Sequence, residues 1–421
     1  MAGRSTLWKQ RCLFLAIAVA VYGGLLVAKD FLQGPALWDE EHFWATSLSF
    51  STRFVPTIEQ LRGYAELNTP LPFVVFGVLE RLFRQGMFAG RLLNVFLSGA
   101  IVFMVGWPVK SRGWRSLRCF AGLLLCPYFL LYSGLLYTDI IACFFVLVGI
   151  VCYRQDFHWL SCVAFMLAIA SRQFMLAFPA AIALYEFVIS TRKPSQSSSM
   201  ISLACWKNHQ RWIAPAVATC SILGWIILFG GLAPKPAFTK FVMLDQYSTM
   251  LVAAVGDAVL ALSVPPVQRS LWALTPGAAI NFLAFVTLYI VLPEAILFVP
   301  RYPLRHIRTY LIDNRIRLAT IAISLLLFVF MFPPLHSRVG ILIKITNQIP
   351  DADLKFTLVY LLALISCLRF SKFDVVSLSV WANCLIMMKA YPWDKYVLPL
   401  VVVFWYWKAR DRFQDEEVAP L

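Results

Sequence analysis

A short acidic stretch supplies the side chains of this chain with the clearest capacity for chemistry. Trp38-Asp39-Glu40-Glu41-His42 places three carboxylates and an imidazole in succession, although only 14% of the 421 residues are charged. An ionised carboxylate that reaches a hydroxyl can act as a general base. Asp39 and Glu40 are therefore candidate catalytic residues, and the alternative is that they are solvated loop charges.

Several further polar side chains lie at the ends of apolar runs. Ionisable groups at such positions in a membrane bundle are unfavourable unless they are paired or take part in function. Arginine suits phosphate because its guanidinium presents a planar fork of donors. His336, beside two prolines, is either a site residue or an ordinary loop histidine. The candidate substrate-binding residues are His42, Asn68, Thr69, Arg91, Tyr137, Asp139, Arg172, Gln173, His336, Arg338, Lys395 and Tyr396.

Most of these residues also have a purely structural interpretation. Asp139 opens an apolar run, where a carboxylate can cap the helix N-terminus. Arg172 can extend along apolar surface to the membrane interface, and Lys395 can serve as an interfacial anchor. Arg91 and Asn94, one helical turn apart, can pair with an acidic group or bond neighbouring backbone. The sequence leaves these alternatives open.

Composition indicates a membrane protein. Hydrophobic residues make up 60% of the chain, against roughly 45–50% in soluble proteins. The net charge of +15 comes from Lys and Arg residues in short loops between apolar runs, which is typical of cytoplasmic loops and argues against nucleic-acid binding. There is no nucleotide-binding motif, and Asp351-x-Asp353 matches a metal motif by spacing alone, so no metal site is predicted.

The apolar runs predict an all-α bundle of about twelve spans, with both ends cytoplasmic. Residues 1–408 form the membrane domain and 409–421 a cytoplasmic tail. Residues 73–84 are too short to span and predict an interfacial or re-entrant helix after the first outer loop. Residues 241–268 are predicted to be partly inserted, or to form a loop with interfacial helices. The predicted spans are 12–28, 89–107, 120–132, 140–153, 158–170, 174–189, 212–232, 280–299, 318–332, 356–368, 375–388 and 397–407.

This topology places the acidic stretch and the other candidate residues on the non-cytoplasmic side. The charges and run lengths that define the topology are different residues from the candidates, so their convergence is a partly independent result. The first run follows basic residues and could be a signal peptide. Its length, and the lack of a small-residue cleavage site after it, favour a retained helix.

Several short motifs occur in an order that resembles a known family. They are Asp39-Glu40 with His42, Asn68-Thr69-Pro70-Leu71-Pro72, Gly90-Arg91-Leu92-Leu93-Asn94, Leu136-Tyr137-Thr138-Asp139, Arg172-Gln173 and Lys395-Tyr396-Val397-Leu398-Pro399. Together with one helix before an acidic loop, they resemble the GT-C superfamily of multi-spanning glycosyltransferases. They look closest to the dolichyl-phosphate-glucose alpha-1,2-glucosyltransferase family, over roughly residues 35–175 and 390–400.

The chain also departs from that family. Asp139 stands where the family often has Glu, and Lys395-Tyr396 where it has Arg-Tyr. The family's Asp-Asn-Arg-His segment has only a distant counterpart in His336-Ser337-Arg338, and residues 195–330 do not align. These departures leave the acceptor open, and a bacterial or otherwise divergent relative fits as well as the glucosyltransferase itself.

The resemblance implies an enzyme that transfers a hexose, glucose in the closest family, from a polyprenyl or dolichyl phosphate to a hydroxyl of a lipid-linked or surface glycan, with inversion. Asp39 would be the base, with Glu40 nearby, and Arg172, Lys395 and Arg338 would neutralise the leaving phosphate. No cofactor is expected beyond the lipid-phosphate donor. The membrane would be the cell membrane in a bacterium or the endoplasmic reticulum in a eukaryote, with the active site on the non-cytoplasmic face.

Two other classes of function compete with this expectation. A transporter or flippase for a lipid-linked or anionic solute would use the same arginines as substrate ligands. It predicts ionisable groups near the middle of the membrane, and few charges lie mid-span. A non-catalytic membrane assembly protein would tolerate loss of the acidic stretch.

Overall fold

The computed structural model describes residues 2–27, 32–109, 113–192, 203–237, 274–298, 315–335, 340–390 and 393–410. Within these ranges the regular elements are helices, which confirms the predicted all-α class. They are α1 Ala2–Val27, α2 Glu40–Phe50, α3 Ile58–Gly63, α4 Leu71–Phe83, α5 Met87–Gly106, α6 Gly113–Leu124, α7 Pro127–Ser133, α8 Thr138–Arg154, α9 His158–Ser171, α10 Ala177–Arg192, α11 Leu203–Phe229, α12 Gly277–Leu297, α13 Arg315–Met331, α14 Ile341–Asn347, α15 Ala352–Arg369, α16 Val375–Met387 and α17 Leu398–Arg410.

The long apolar helices are those of a membrane protein. Among the described residues, five helices are long and apolar enough to cross a membrane, namely Ser5–Val27, Met87–Gly106, Gln173–Arg192, His209–Phe229 and Gly277–Leu297. A sixth is reached if the bent pair α6 and α7 counts as one span. The other predicted spans lie on helices that are shorter or less apolar, so twelve crossings stay a prediction.

The predicted third span, 120–132, is wrong as a continuous helix. The chain bends by 78° between α6 and α7, and Pro127 is the first residue of α7. Proline lacks a backbone N–H and clashes with the preceding turn, so it begins a helix easily and interrupts one that is already running.

The predicted first outer region is more ordered than a loop. It contains α2 and α3, and the apolar segment predicted as interfacial forms α4. Helices α2 and α4 pack against each other. The ambiguous segment 241–268 lies outside the described residues, as does the tail beyond Arg410.

Helix α17 lies at the centre of the bundle. It packs against α5, α6 and α8, and Trp405 on it is fully buried. The indole ring of Trp405 lies directly on Gly122 of α6, because a Cβ at that glycine would come inside van der Waals contact of three of the ring carbons. This close approach fixes α17, and with it the polar segment that immediately precedes the helix.

Replacing Gly122 by Ala should destabilise the protein by about 1–3 kcal/mol, which is the usual effect of overpacking a well-filled core. Gly99→Ala on α5 is the matched control, because no atom outside its own helix lies within 4 Å of the added methyl group. We expect that control to be neutral or slightly stabilising, since Ala favours a helix over Gly. Thermal unfolding in detergent measures both variants, and equal unfolding midpoints would contradict this packing.

Candidate functional site

Glu40, the first residue of α2, is buried in a two-pronged ion pair. Arg91 of α5 donates from Nε to Oε1 at 2.9 Å and from Nη2 to Oε2 at 2.7 Å. Both side chains are at most 1% exposed. The backbone N–H groups of Leu37 and Leu136 also donate to this carboxylate. Glu40 is therefore not a solvated loop charge, and four donors fix its position.

Arg91 also fastens the segment that leads into α2. Its guanidinium donates to the backbone carbonyls of Leu32, Gly34 and Pro35, at distances between 2.7 and 3.3 Å. One turn further along α5, the Asn94 amide donates to the carbonyls of residues 135 and 137, at 2.6 and 2.9 Å. Both structural roles that the sequence left open for these two side chains are thus observed, an acidic partner for one and backbone partners for the other.

Asp39, the neighbour of Glu40, is in a different environment. It is 38% exposed, and its Oδ2 lies 3.3 Å from Nζ of Lys395. Its backbone N–H donates to the hydroxyl of Tyr137 at 3.2 Å, while its carboxylate makes no capping bond to α2. Asp39 therefore combines access from solvent with a fixed cationic partner.

Lys395 is a buried cation surrounded by aromatic rings. It lies in a short 3-10 turn just before α17, and its ammonium is 3.4 Å from the ring centre of Trp393. The rings of Tyr137 and Tyr396 are 5.6 and 5.9 Å away, within the range of cation–π attraction. These rings stabilise the positive charge of the Lys395 ammonium, which is shielded from water.

The pKa of Lys395 falls from 10.5 to about 8. Burial is the main cause, because desolvation disfavours the charged ammonium. The positive charge of Arg172 lowers it further, whereas the carboxylates of Asp139 and Asp39 oppose the shift.

Asp139 and Arg172 form the second buried ion pair of this region. Nη2 of Arg172 lies 2.7 Å from Oδ2 of Asp139, and Nε donates to the hydroxyl of Thr138 at 2.9 Å. Both charged side chains are at most 3% exposed, so the arginine does not extend to the surface. The carboxylate pairs across to the end of α9 and does not cap α8, and its Oδ1 accepts no hydrogen bond from the described residues.

The remaining predicted residues mostly position this cluster. The hydroxyl of Thr69 donates to the carbonyl of residue 169 at 2.7 Å, and the Gln173 amide donates to the carbonyls of residues 67 and 232. Asn68 is half-buried, and the ring of Tyr396 packs edge-on against Phe174. Thr69 and Gln173 fasten the segment before α4 to the end of α9. Two predicted residues, His336 and Arg338, lie outside the described residues.

His42 lies away from the ion pairs, in an open cavity between α2 and α3. The cavity has a volume of about 560 Å³, within the range of small-ligand sites. Side chains that can form hydrogen bonds contribute to its lining, namely His42, Thr46, Ser49, Glu59, Gln60 and Tyr64. Asp39 directly precedes α2, the helix that forms one wall of this cavity.

Asp394 and its two tyrosine partners support the site, although sequence reasoning assigned them no role. The Asp394 carboxylate is 1% exposed and accepts hydrogen bonds from the hydroxyls of Tyr128 and Tyr289 and from the N–H of Ile341. These bonds fix the turn that presents Lys395. The tyrosines lie in apolar runs with no distinctive spacing, so the sequence contains no signal for this contact.

No protein-family model, curated protein or solved structure matches this chain. The family resemblance therefore stays a prediction from short motifs. Among the described residues, no three His, Cys, Asp or Glu side chains are placed to share a metal ion. The function is therefore inferred from the site itself, in which two buried ion pairs accompany one accessible carboxylate and one buried lysine.

Proposed function

We propose that this protein is an integral-membrane glycosyltransferase of the GT-C type. It would transfer a hexose, glucose by the family resemblance, from a polyprenyl or dolichyl phosphate to a hydroxyl of a lipid-linked or surface glycan. The observation that supports this proposal is the contact of half-exposed Asp39 with buried Lys395. A base must be reachable by an acceptor, and a cation near it must be shielded from water to stabilise a phosphate strongly. The proposal includes the predicted twelve crossings and a site on the non-cytoplasmic face.

The chemistry assigns one step to each group. The Asp39 carboxylate takes the proton of the acceptor hydroxyl, whose oxygen bonds to the anomeric carbon from the side opposite the donor phosphate. The bond between that carbon and the phosphate oxygen breaks, and the polyprenyl phosphate leaves with the electron pair. Attack from the opposite side inverts the anomeric centre. Lys395 and Arg172 stabilise the negative charge that develops on the phosphate.

Binding of the donor would change the partner of Lys395. A phosphate near the ammonium competes with Asp39, whose contact of 3.3 Å is the longest ion-pair distance among the site's residues. Releasing Asp39 frees its carboxylate for the acceptor hydroxyl. The buried Oδ1 of Asp139 would accept a hydrogen bond from a sugar hydroxyl. The open cavity beside His42 would receive the acceptor glycan.

Transfer should decline above a pH of about 8. The ammonium of Lys395 loses its proton there, so kcat/KM should fall about tenfold for each further pH unit. Lys395→Arg keeps the positive charge to higher pH, and any activity that it retains should not show this decline. A pH series of initial rates with a polyprenyl-phosphate donor measures both proteins.

Unfolding caused by deprotonation of Lys395 would not produce the same fall in rate above a pH of about 8. Between pH values of about 8 and 10.5 the unfolded chain binds more protons at this residue than the folded chain. The free energy of unfolding therefore rises with pH in that window as far as Lys395 is concerned. An unchanged rate through about pH 9 in the wild type would remove this lysine from the catalytic step.

The direct test uses the purified full-length protein in lipid vesicles. Polyprenyl-phosphate-glucose and polyprenyl-phosphate-mannose serve as donors, with mixed glycan and lipid-linked acceptors. We expect donor consumption and an extended acceptor with inverted anomeric configuration. Movement of donor or solute across the bilayer with no product would instead favour the transporter, which remains the second candidate because the same cations suit an anionic solute.

A further inference from the structure

A second cavity, of about 650 Å³, lies at the other end of the bundle from Asp39. Helix α8 starts at the Asp139 pair and ends at Arg154, which lines this cavity. A helix rises 1.5 Å per residue, so these ends are about 22 Å apart. Helix α17 runs in the same sense, since Lys395 precedes it and Trp407 near its end lines the cavity. The cavity is therefore separate from the proposed active site.

Positive charge dominates the lining of this cavity. Three acidic side chains line it, against six basic ones from five parts of the chain, which are Arg115, Arg154, Arg211, Arg369, Lys372 and Lys408. Glu294 lies behind the wall of the cavity and binds Arg369 and Lys408 at 2.8 Å each. The basic groups still outnumber the carboxylates when Glu294 is counted with them. Like charges around one cavity repel each other, and an anion inside it would relieve that repulsion.

The three lining carboxylates already have partners among the described residues. Asp156 pairs with Arg211 at 2.7 Å, and Glu186 accepts a hydrogen bond from the hydroxyl of Tyr153. Asp374 accepts from the backbone N–H of Ser377 at 2.8 Å, as the cap of α16. The hydroxyl and the backbone N–H are neutral partners, so the carboxylates keep their charges, and the cavity is basic because six basic side chains outnumber three acidic ones.

Most of the remaining lining is apolar or aromatic. Phe370, Phe404 and Trp407 contribute rings, and Val375 and Val376 contribute aliphatic surface. The guanidinium of Arg154 lies 4.7 Å from the ring centre of Trp407, so charged and apolar walls meet within the cavity. A ligand that suits both walls has an anionic head and an apolar part.

We infer that this cavity binds a phosphate group. Arginine side chains match phosphate because their planar forks donate two parallel hydrogen bonds, and the volume is that of a small-ligand site. The phosphate can belong to a phospholipid headgroup or to a soluble phosphate compound. The inference does not depend on the proposed transferase activity, because it rests on other residues at the opposite end of the helices.

Lipid retention by the full-length protein tests the inference. The protein is stripped of lipid in detergent, incubated with phosphatidic acid or phosphatidylcholine, and weighed intact by native mass spectrometry. We expect about tenfold stronger retention of phosphatidic acid, equal to about 1.4 kcal/mol. The double variant R211Q/K372Q removes two lining charges that are partly exposed, and should abolish this preference.

Arg192→Gln is the matched control, because this exposed arginine lies on α10 one turn beyond the lining residue Ile189. It removes a positive charge at the same end of the bundle and should leave retention unchanged. Lys372→Gln alone serves if the double variant does not fold. A third outcome is that inorganic pyrophosphate raises the thermal stability of the wild type but not of these variants, while neither lipid is preferred. That result would support the site and assign it to a soluble phosphate. Equal retention of both lipids, with no effect of pyrophosphate, would overturn the inference.

Discussion

Replacing Asp39 by Asn should reduce sugar transfer by at least about 10²–10⁴-fold, the usual contribution of a general base. The amide keeps the size of the side chain and cannot accept the hydroxyl proton. Asp39 is 38% exposed, and Lys395, unlike an arginine, can release its proton when the carboxylate is lost, so the fold should persist. Initial rates of transfer from a polyprenyl-phosphate donor, with thermal unfolding alongside, measure the two effects separately.

Glu41→Gln is the control for the loss of one negative charge at the start of α2. Glu41 is an exposed carboxylate two residues further along the chain, in the first turn of α2. Its replacement removes the same charge at nearly the same place and should leave transfer close to the wild-type rate. Equal losses in the two variants would indicate a general electrostatic effect, and full activity of Asp39→Asn would exclude Asp39 as the base.

The sequence predicts the helices well and their contacts poorly. Run lengths and flanking charges locate most of the long described helices to within a few residues, because burial in lipid demands long apolar segments, whereas the short helices α2, α3 and α14 have no predicted counterpart. The break before Pro127 can also be predicted from the sequence, since proline interrupts a continuing helix. Hydrophobicity alone does not predict that break, because the residues on both sides of it are apolar.

The different environments of Asp39 and Glu40 show why the site is harder to predict. The two carboxylates are adjacent in sequence, but α2 begins between them, and successive helical residues point about 100° apart. One side chain consequently faces Arg91, 51 residues away, and the other faces Lys395, 356 residues away. Motif order could nominate all four residues, whereas only the tertiary contacts of α2 and of the turn before α17 decide which acid is buried.

Glu40→Gln should destabilise the protein by about 3–5 kcal/mol, the largest stability effect that we expect from a single charge. The variant removes the Glu40 carboxylate from the Arg91 guanidinium, which is 1% exposed. The three backbone carbonyls that it also contacts are neutral and cannot balance its charge. Thermal unfolding in detergent should show a much lower midpoint than for Asp39→Asn.

A second ion pair with the same contact distance, but exposed to solvent, separates the effect of burial on stability from that of distance. Arg211 and Asp156 also approach to 2.7 Å, but they are 46% and 65% exposed, so Asp156→Asn should change stability by less than about 1 kcal/mol. The double variant E40Q/R91Q should be less destabilised than the sum of its two single variants, because it leaves no buried charge unpaired. Strict additivity, or equal effects of Glu40→Gln and Asp156→Asn, would mean that the Glu40–Arg91 contact does not fasten the loop before α2. Asp39 would then lack the rigid support that a positioned base requires.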